Sequence, residues 1–565
     1  MSEIYEEYFK EVWNEENQLI SVTTDYDEQF NFAYDVMDRH AAEHPEQIAL
    51  VHKNCEGVVR RFTFEDIRTM SDQAANVLKD AGIGKGDSVM LLLKRRYEFW
   101  ISVMALHKLG AVAIPTSHMV SAEDIAERVR LAHAKAVICV NADRICDKVE
   151  EAVRETDAIK FVVGGTREGF FDYERLLQEA DTEFARVSTN VHDDMLYYFT
   201  SGTNGAPKAV IHDYSYPIAH IFTAKHWHGV ISGGLHLTVA DSGWAKSAWG
   251  KMYGQWFLGT AVMVYDYEQF YAGDMLKLLE EERVNTFCAP PTIYKYLVRE
   301  NINEYDLSHL VSVTTAGEPL PQEVANQFYK MTGLTIREGF GQTETTLLTC
   351  TQTGGQQVPG SIGKASPLYT LELVDEDNRP VPDGEEGEIV IVPAGRDADA
   401  GSVVGESVPL GIFKGYLGDE ELYRQVWDGG VYHTRDKAYR DSSGNYYFVG
   451  RNDDVIKSSG YRIGPSEVED ILMQHPAVFE CAVTAYPSKN RGSLVKASIR
   501  LNPGYEESPK LKTQIQEFVK QRAAIYKYPR MIRFVKELPK TSNGKISRAR
   551  IREEDFRTYD QQKSK

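Results

Sequence analysis

The sequence lacks the features that mark an exported, membrane-spanning or metal-framed protein. Its six cysteines, Cys55, Cys139, Cys146, Cys288, Cys350 and Cys481, form no C-x-x-C pair and no metal-ligand spacing. That excludes a disulfide scaffold or a zinc ribbon and points to reduced thiols in an intracellular compartment. No segment approaches the ~18 apolar residues of a membrane span. The acidic start, Met1-Ser-Glu-Ile-Tyr-Glu-Glu-Tyr, has neither an apolar signal core nor an Arg-rich transit pattern, so the cytoplasm is the expected location. Positive charge is short as well: 83 acidic against 63 basic residues leave a net −20, with the basic ones scattered rather than striped. Nucleic acid is therefore disfavoured as a partner. There is no internal repeat and no G-x-S-x-G elbow of a serine hydrolase. His226-Trp-His228 lacks a third ligand at a zinc spacing and reads as packing.

What the sequence does hold is phosphate-handling chemistry in short loops. Tyr198-Phe-Thr-Ser-Gly-Thr-Asn-Gly-Ala-Pro-Lys208 gathers hydroxyls, two glycines and a lysine into one turn. Glycines let backbone N–H groups converge on an anion, hydroxyls add donors, and the lysine adds a mobile charge. It is not a Walker loop, because Lys208 follows Pro207 and precedes Ala209, which leaves no hydroxyl there for magnesium. Near the other end, Pro539-Lys-Thr-Ser-Asn-Gly-Lys545 follows the apolar run Met531 to Val535. That pattern predicts a strand leading into a tight loop that presents Lys545.

The length suggests about three or four domain-sized units. Short apolar runs at Ser88 to Leu93, Ala111 to Ile114, Lys135 to Val140 and Lys160 to Val163, with a helical stretch from Phe99 to Leu109, predict parallel βαβ units. The alternation resumes at Ala261 to Tyr265, Thr286 to Ala289 and Val311 to Thr315. After Gly363, shorter strands with Gly, Pro and Asp turns (Leu371 to Val374, Gly387 to Val392, Asp441 to Phe448) predict an antiparallel or barrel-like subdomain. Beyond Asp453 comes a compact unit with helices at Ser466 to Gln474 and Lys510 to Arg522 and strands at Ala482 to Ala485 and Val495 to Leu501. The expected fold class is α/β. A large N-terminal domain, residues 1–452, has two βαβ-type sheets and the small β-barrel-like subdomain. A small mobile α+β C-terminal domain, residues 453–565, follows a hinge near Asp453.

The two loops, together with Glu338-Gly-Phe-Gly-Gln-Thr-Glu344, Tyr432-His-Thr-Arg-Asp436 and Gly450-Arg-Asn-Asp-Asp-Val-Ile-Lys-Ser-Ser-Gly-Tyr-Arg462, stand in one order along the chain. In that order and spacing they resemble the adenylate-forming superfamily of acyl-CoA synthetases, luciferases and peptide-synthetase adenylation domains. The likeness runs from about Phe32 to Ile551 and is greatest to acetyl- and medium-chain acyl-CoA synthetases. It implies an ATP-dependent, AMP-forming acid–thiol ligase acting on a carboxylic acid, ATP, Mg²⁺ and CoA. Thr200, Ser201, Gly202, Thr203 and Lys208 would hold the β- and γ-phosphates. Gly317, Glu318, Pro319, Glu338 and Gly339 would line the adenine side, where a carboxylate or carbonyl accepts from the exocyclic amine, and Phe340 would offer a stacking face. Gly341 and Gln342 belong to the same motif, in which Thr343 would donate to the α-phosphate and Glu344 would ligate Mg²⁺. Asp436, assisted by Arg451, would accept from the ribose hydroxyls, and Arg462 would meet the α-phosphate. Lys545 would stabilise charge on the phosphoryl being transferred, and Ser459-Gly460 would wall the pantetheine tunnel. Lys520 matches a position that binds CoA phosphate in some relatives, with a solvated helix lysine as its plain alternative. Met473, His475 and Val478 align with a carbonyl-lined cation site of acetyl-CoA synthetases.

Acetate activators of this kind carry a tryptophan just before Gln-Thr-Glu, closing the acyl pocket, and here the position is Gly341. A deeper pocket is expected, for a medium-chain, branched or aromatic acid. Trp244, Lys246 and Trp249 are its candidate wall, with Trp249, Tyr253 and Trp256 at helical spacing; core packing accounts for the same stripe. The acceptor alternative is a carrier protein in trans, and a non-catalytic nucleotide or acyl binder has no use for Lys545.

Overall fold

The computed structural model describes residues 3–16, 18–201, 207–394, 408–451, 454–458, 461–488, 492–524, 526–541 and 545–563. Two large sheets form the body. The first runs in the order Gly415–Tyr416, Pro207–Asp213, Asp194–Ser201, Val112–Pro115, Ser88–Leu92, Ala136–Val140, Ile159–Val163, Phe171–Asp172. It is parallel from Asp194–Ser201 onward and antiparallel at the other edge. Every residue of Ser88–Leu92 and Ala136–Val140 is buried, as a parallel sheet covered on both faces requires. The connecting helix Glu98–Leu109 is buried along its whole length and stops at Gly110, whose φ of 71° is the left-handed cap that glycine adopts at least cost.

The second sheet runs Lys364–Ala365, Leu347–Cys350, Ile336–Gly341, Ser312–Ala316, Thr286–Cys288, Leu235–Thr238, Ala261–Tyr265, Ile48–Lys53, Val59–Thr63. Its parallel strands Ser312–Ala316 and Ile336–Gly341 end side by side, with Ala316 opposite Gly339. The carboxyl ends of parallel strands are where open α/β sheets place ligands. The later subdomain is a four-stranded antiparallel sheet, Thr370–Val374, Gly387–Val392, Tyr432–Arg440 and Tyr446–Arg451. The run from Asp441, expected as a strand start, is instead the turn between its last two strands: Asp441 accepts from the backbone N–H groups of Ser443 and Asn445.

From Ile456 the chain builds a separate sheet with its own apolar core, including Ile456, Val468, Val483, Ile499 and Ile532. Asp453 lies outside the described residues. This unit meets the body where Arg299 donates to Asn502 at 2.8 Å and lies over the Phe479 ring. An N-terminal hairpin, Phe9–Trp13 paired with Leu19–Thr24, is an addition that alternation of short, charged strands did not signal.

A buried ion cluster ties the long helix to the N-terminal segment. Lys108 is fully enclosed, and its ammonium bonds Asp72 at 2.6 Å and Asp38 at 2.8 Å. Burial pushes Asp38 up to about 6 and Asp72 upward, with Lys108 opposing both shifts. Removing one partner from such a cluster strands the others. Lys108→Met should therefore destabilise the protein by about 3–5 kcal/mol in urea unfolding near neutral pH. The two carboxyls would then be raised further in the folded state, so protonation favours folding: the deficit should shrink as pH falls toward 5. A loss that does not change with pH would contradict this reading.

Candidate active site

The phosphate loop connects the antiparallel strands Asp194–Ser201 and Pro207–Asp213, with Thr200 opposite Lys208. Gly202 and Thr203 lie outside the described residues, as does the side chain of Ser201. Lys208 reaches over the ring of Tyr416, 5.7 Å from its centre, and Tyr416 donates to Glu344 at 3.0 Å. Burial and the nearby Arg435 and Arg451 pull the Lys208 ammonium below its ordinary range, against the pull of Glu344 and Asp419. The backbone of the Gln-Thr-Glu turn is fixed from outside the site: the Phe413 N–H donates to the Glu344 carbonyl at 2.7 Å, and the His212 ring bonds the Thr343 carbonyl at 2.8 Å. Gln342 does not face out. Its amide donates to Asp436 and to the Thr434 carbonyl, and its oxygen accepts from Tyr432. It holds Asp436, which also stands opposite Arg451 in the strand register. Burial raises Asp436 to about 6, opposed by Arg451, by the Gln342 hydrogen bond and by Lys545.

Glu338 is enclosed and pushed up to about 8 by burial. One of its oxygens accepts from the Leu320 N–H at 3.2 Å, next to the Gly317-Glu318-Pro319 turn. Phe340 lies at the strand end with its ring 5.8 Å from that of Phe448.

Lys545 enters this cleft from the C-terminal domain. Its hairpin is closed by Thr541 N–H to the Lys545 carbonyl at 2.7 Å and by a bridge between Lys540 and Ile546. Gly317 has φ +102°, and a Cβ there would sit 3.6 Å from Lys545 Cε and 3.9 Å from Nζ. Glycine is favoured there by the left-handed backbone, while the lysine lies at ordinary contact distance from the position a Cβ would take. The residue keeps solvent access, as an open cleft demands, while protein crowds its ammonium end. That crowding lowers its proton affinity; Glu318 and Asp436 oppose the effect, while Lys246 and Arg451 add to it. Of the other C-terminal candidates, Ser459, Gly460 and the side chain of Arg462 lie outside the described residues. The Arg462 backbone pairs with Lys457 in the strand Tyr461–Ile463. Lys520 is engaged with Glu517 at 2.6 Å and with the Tyr528 ring, the arrangement of a solvated helix lysine. In the proposed cation site, the carbonyls of His475 and Val478 already accept from Val478 N–H and Asn502, and the Met473 sulfur lies 4.0 Å from Lys295.

The acyl wall departs from expectation. The aromatic stripe is not one helix, because Lys246–Gly250 and Tyr253–Phe257 are separate turns. Trp256 bonds the Ala49 carbonyl and Tyr253 bonds His107, so both are core. Lys246 donates to the Ala316 carbonyl at 3.0 Å. Gly341 does not leave empty depth: a Cβ there would lie 2.5 Å from the Trp249 ring and 2.3 Å from the Thr346 carbonyl. The indole of Trp249, from the facing helix, occupies the space that a side chain at Gly341 would take. Trp244 closes a turn at Asp241, and Gly243 in that turn abuts Ser117. Sequence reasoning missed Tyr416, which stands in a two-residue strand with no periodic signal, and gave no role to Tyr432, the first residue of a motif it recognises.

Residues 37–395 match the AMP-binding enzyme family and residues 467–545 match the AMP-binding enzyme C-terminal domain. Human acyl-coenzyme A synthetase ACSM5, mitochondrial, is 36% identical over 541 residues, covering 94% of this chain and 91% of its own. The mouse ACSM3 enzyme, also mitochondrial by name, is 35% identical over 544 residues, with 94% and 91% covered. Among solved structures, the anthranilate CoA ligase AuaEII in complex with anthranoyl-AMP superposes with a TM-score of 0.84 at 27% identity, covering 94% of this chain and 98% of that one. A benzoate CoA ligase from Burkholderia xenovorans LB400 gives 0.80 at 25% identity, with 93% and 100% covered. No described helix is long and apolar enough to cross a membrane. With both family regions matched in order, and with relatives this similar along nearly the whole chain, the protein belongs to the AMP-binding, adenylate-forming enzymes and is an acid–thiol ligase.

Proposed function

We propose that this enzyme is an AMP-forming acyl-CoA synthetase for a compact carboxylic acid, medium-chain, branched or aromatic. The observation that carries the reading is the Lys545 ammonium standing against Gly317, among Glu318, Asp436 and Arg451. In the first half-reaction the acid's carboxylate attacks the α-phosphorus of ATP, forming an acyl-adenylate and releasing pyrophosphate. Lys545 supplies a preorganised positive charge where charge accumulates. Thr200, Ser201, Gly202, Thr203 and Lys208 embrace the departing phosphates, Thr343 and Arg462 donate to the α-phosphate, and Asp436 with Arg451 accepts and frames the ribose. Glu344, with one oxygen on Tyr416 and its residue partly exposed, suits a hard cation. Bound there with ATP, Mg²⁺ would supply charge neutralisation.

In the second half-reaction the C-terminal domain turns about Asp453, withdrawing Lys545 and bringing Ser459-Gly460 to wall the thiol's path, and the CoA thiol expels AMP. The Trp249 indole at Gly341 favours a branched or flat acid over an extended one. Anthranilate and benzoate ligases share the fold, which agrees with an aromatic choice. The names of the relatives carry a mitochondrial location, so the cytoplasmic expectation rests on the composition of the first residues alone.

Three outcomes are expected. Incubation with ATP, Mg²⁺ and a panel of straight, branched and aromatic acids should give CoA-dependent AMP and acyl-CoA with C4 to C8, branched or aromatic members. Pyrophosphate exchange without CoA-dependent turnover would point to a carrier acceptor instead. Lys545→Ala should slow adenylation by about two to three orders of magnitude while thioester formation from supplied adenylate survives, the scale of one lost preorganised donor; equal loss of both steps would remove the assignment. Finally, Asp436, raised to about 6, is ionised above that pH and accepts from both ribose hydroxyls only in that form. Affinity for adenosine, which has no phosphate titrating in this range, should fall as pH drops through 6, and Asp436→Asn should flatten the profile. A profile unchanged by Asp436→Asn would count against the contact.

A further inference from the structure

One cluster next to the acyl wall is left unexplained by the reaction. Behind Trp249, side chains from the strand Asp194–Ser201 and the helical segments Tyr216–Phe222, Thr223–His228 and Lys246–Gly250 converge in a fully enclosed region. Six of them hold polar atoms with no hydrogen-bond partner: the hydroxyls of Tyr198, Tyr216, Thr223 and Ser247, the indole N–H of Trp249, and both ring nitrogens of His220. Four of them, Tyr198, Tyr216, His220 and Trp249, form a connected group. The Tyr216 and His220 rings are 4.5 Å apart, His220 and Trp249 are 6.4 Å apart, and the Trp249 N–H faces the Tyr216 hydroxyl without closing a bond of normal geometry. Tyr198 joins through His212, which stacks on Tyr216.

Buried polar groups in folded proteins almost always have partners, and leaving one unpaired costs about 1–3 kcal/mol. An ordinary aromatic core would place phenylalanine or leucine at these positions. The grouping is therefore matched to something absent from the chain itself. Its chemistry is specific. An indole donates only, a hydroxyl does both, and a neutral imidazole donates at one nitrogen and accepts at the other. No charged side chain stands among the six, and burial holds His220 neutral. A second carboxylate or an ammonium would be stranded there. Lys246 sits at the opposite end of its short helix, on the Ala316 carbonyl, and is not part of the cluster.

We propose that this cluster is a specificity subsite for an uncharged hydroxyl or aromatic amino substituent at the far end of the acid. The substituent is held by the Trp249 N–H, the Tyr216 hydroxyl and His220. The inference rests on the synthetase reading and refines its substrate class from compact acids to hydroxyl- or amino-bearing ones. Sites built to bond such a group reject the analogue lacking it, because their own polar atoms are then left unpaired.

The test is kcat/KM for CoA-dependent AMP release with matched acids: benzoate against 2-, 3- and 4-hydroxybenzoate and 2-aminobenzoate, and hexanoate against 6-hydroxyhexanoate. The subsite predicts that at least one substituted member exceeds its parent by about tenfold or more. Tyr216→Phe, nearly isosteric, and His220→Leu should each bring that ratio toward one. A wild-type enzyme that prefers the parents, or treats the pairs alike, overturns the subsite and marks the cluster as filled by buried water. A ratio that survives both variants overturns it too. The synthetase reading stands in both cases and fails separately, only if no acid at all supports CoA-dependent turnover.

Discussion

Two lysines whose charge is penalised by the protein packed around them, set across one cleft, are the condition on which the site depends. Lys208 is pulled down by burial with Arg435 and Arg451 beside it, and Lys545 by burial with Lys246 and Arg451 beside it. Burial opposes the charge of both lysines, and the carboxylates nearby, Glu344 and Asp419 for Lys208 and Glu318 and Asp436 for Lys545, counter it only in part. A polyphosphate relieves both at once.

The scaffold supports this by keeping second-row contacts off the ligand side. Gln342 spends its amide on Asp436 and Thr434 and its oxygen on Tyr432, Tyr416 ties Glu344, and His212 and Phe413 fix the turn between them. Asp436 and Glu344 are thus held from behind, which is how a site is kept in order before its substrate arrives. Glu338 extends the pattern. Buried Glu338, its carboxyl raised by burial, accepts from Leu320 next to the turn that carries Gly317, and Lys545 stands against that glycine.

Much of this was legible in the sequence because it is local. The βαβ runs were visible as apolar segments, and Ser88–Leu92, Ala136–Val140 and Ile159–Val163 fall where alternation puts them. The Lys545 loop was visible as a Gly-Lys tip after a strand. What the sequence did not show depends on juxtaposition. Gly341 read as a vacancy until Trp249, far along the chain, was seen pressing on it. The stripe Trp249, Tyr253, Trp256 has helical spacing, but the chain breaks at Lys251 and Met252, where Lys251 is drawn inward to the Ala240 carbonyl. Tyr416 and the cluster around His220 carry no spacing signal, since their meaning lies in which atoms are left without partners.

The central claim, that the charge penalty on the cleft lysines is relieved by the nucleotide, is tested most directly by counting protons. Calorimetry of ATP binding at about pH 9, just below the ordinary lysine range, in buffers of different ionisation enthalpy gives the number exchanged. The account predicts net proton uptake, because lysines held low by burial regain their protons beside phosphate, with a smaller uptake in Lys545→Ala. Binding with no proton uptake, or with release, would contradict it.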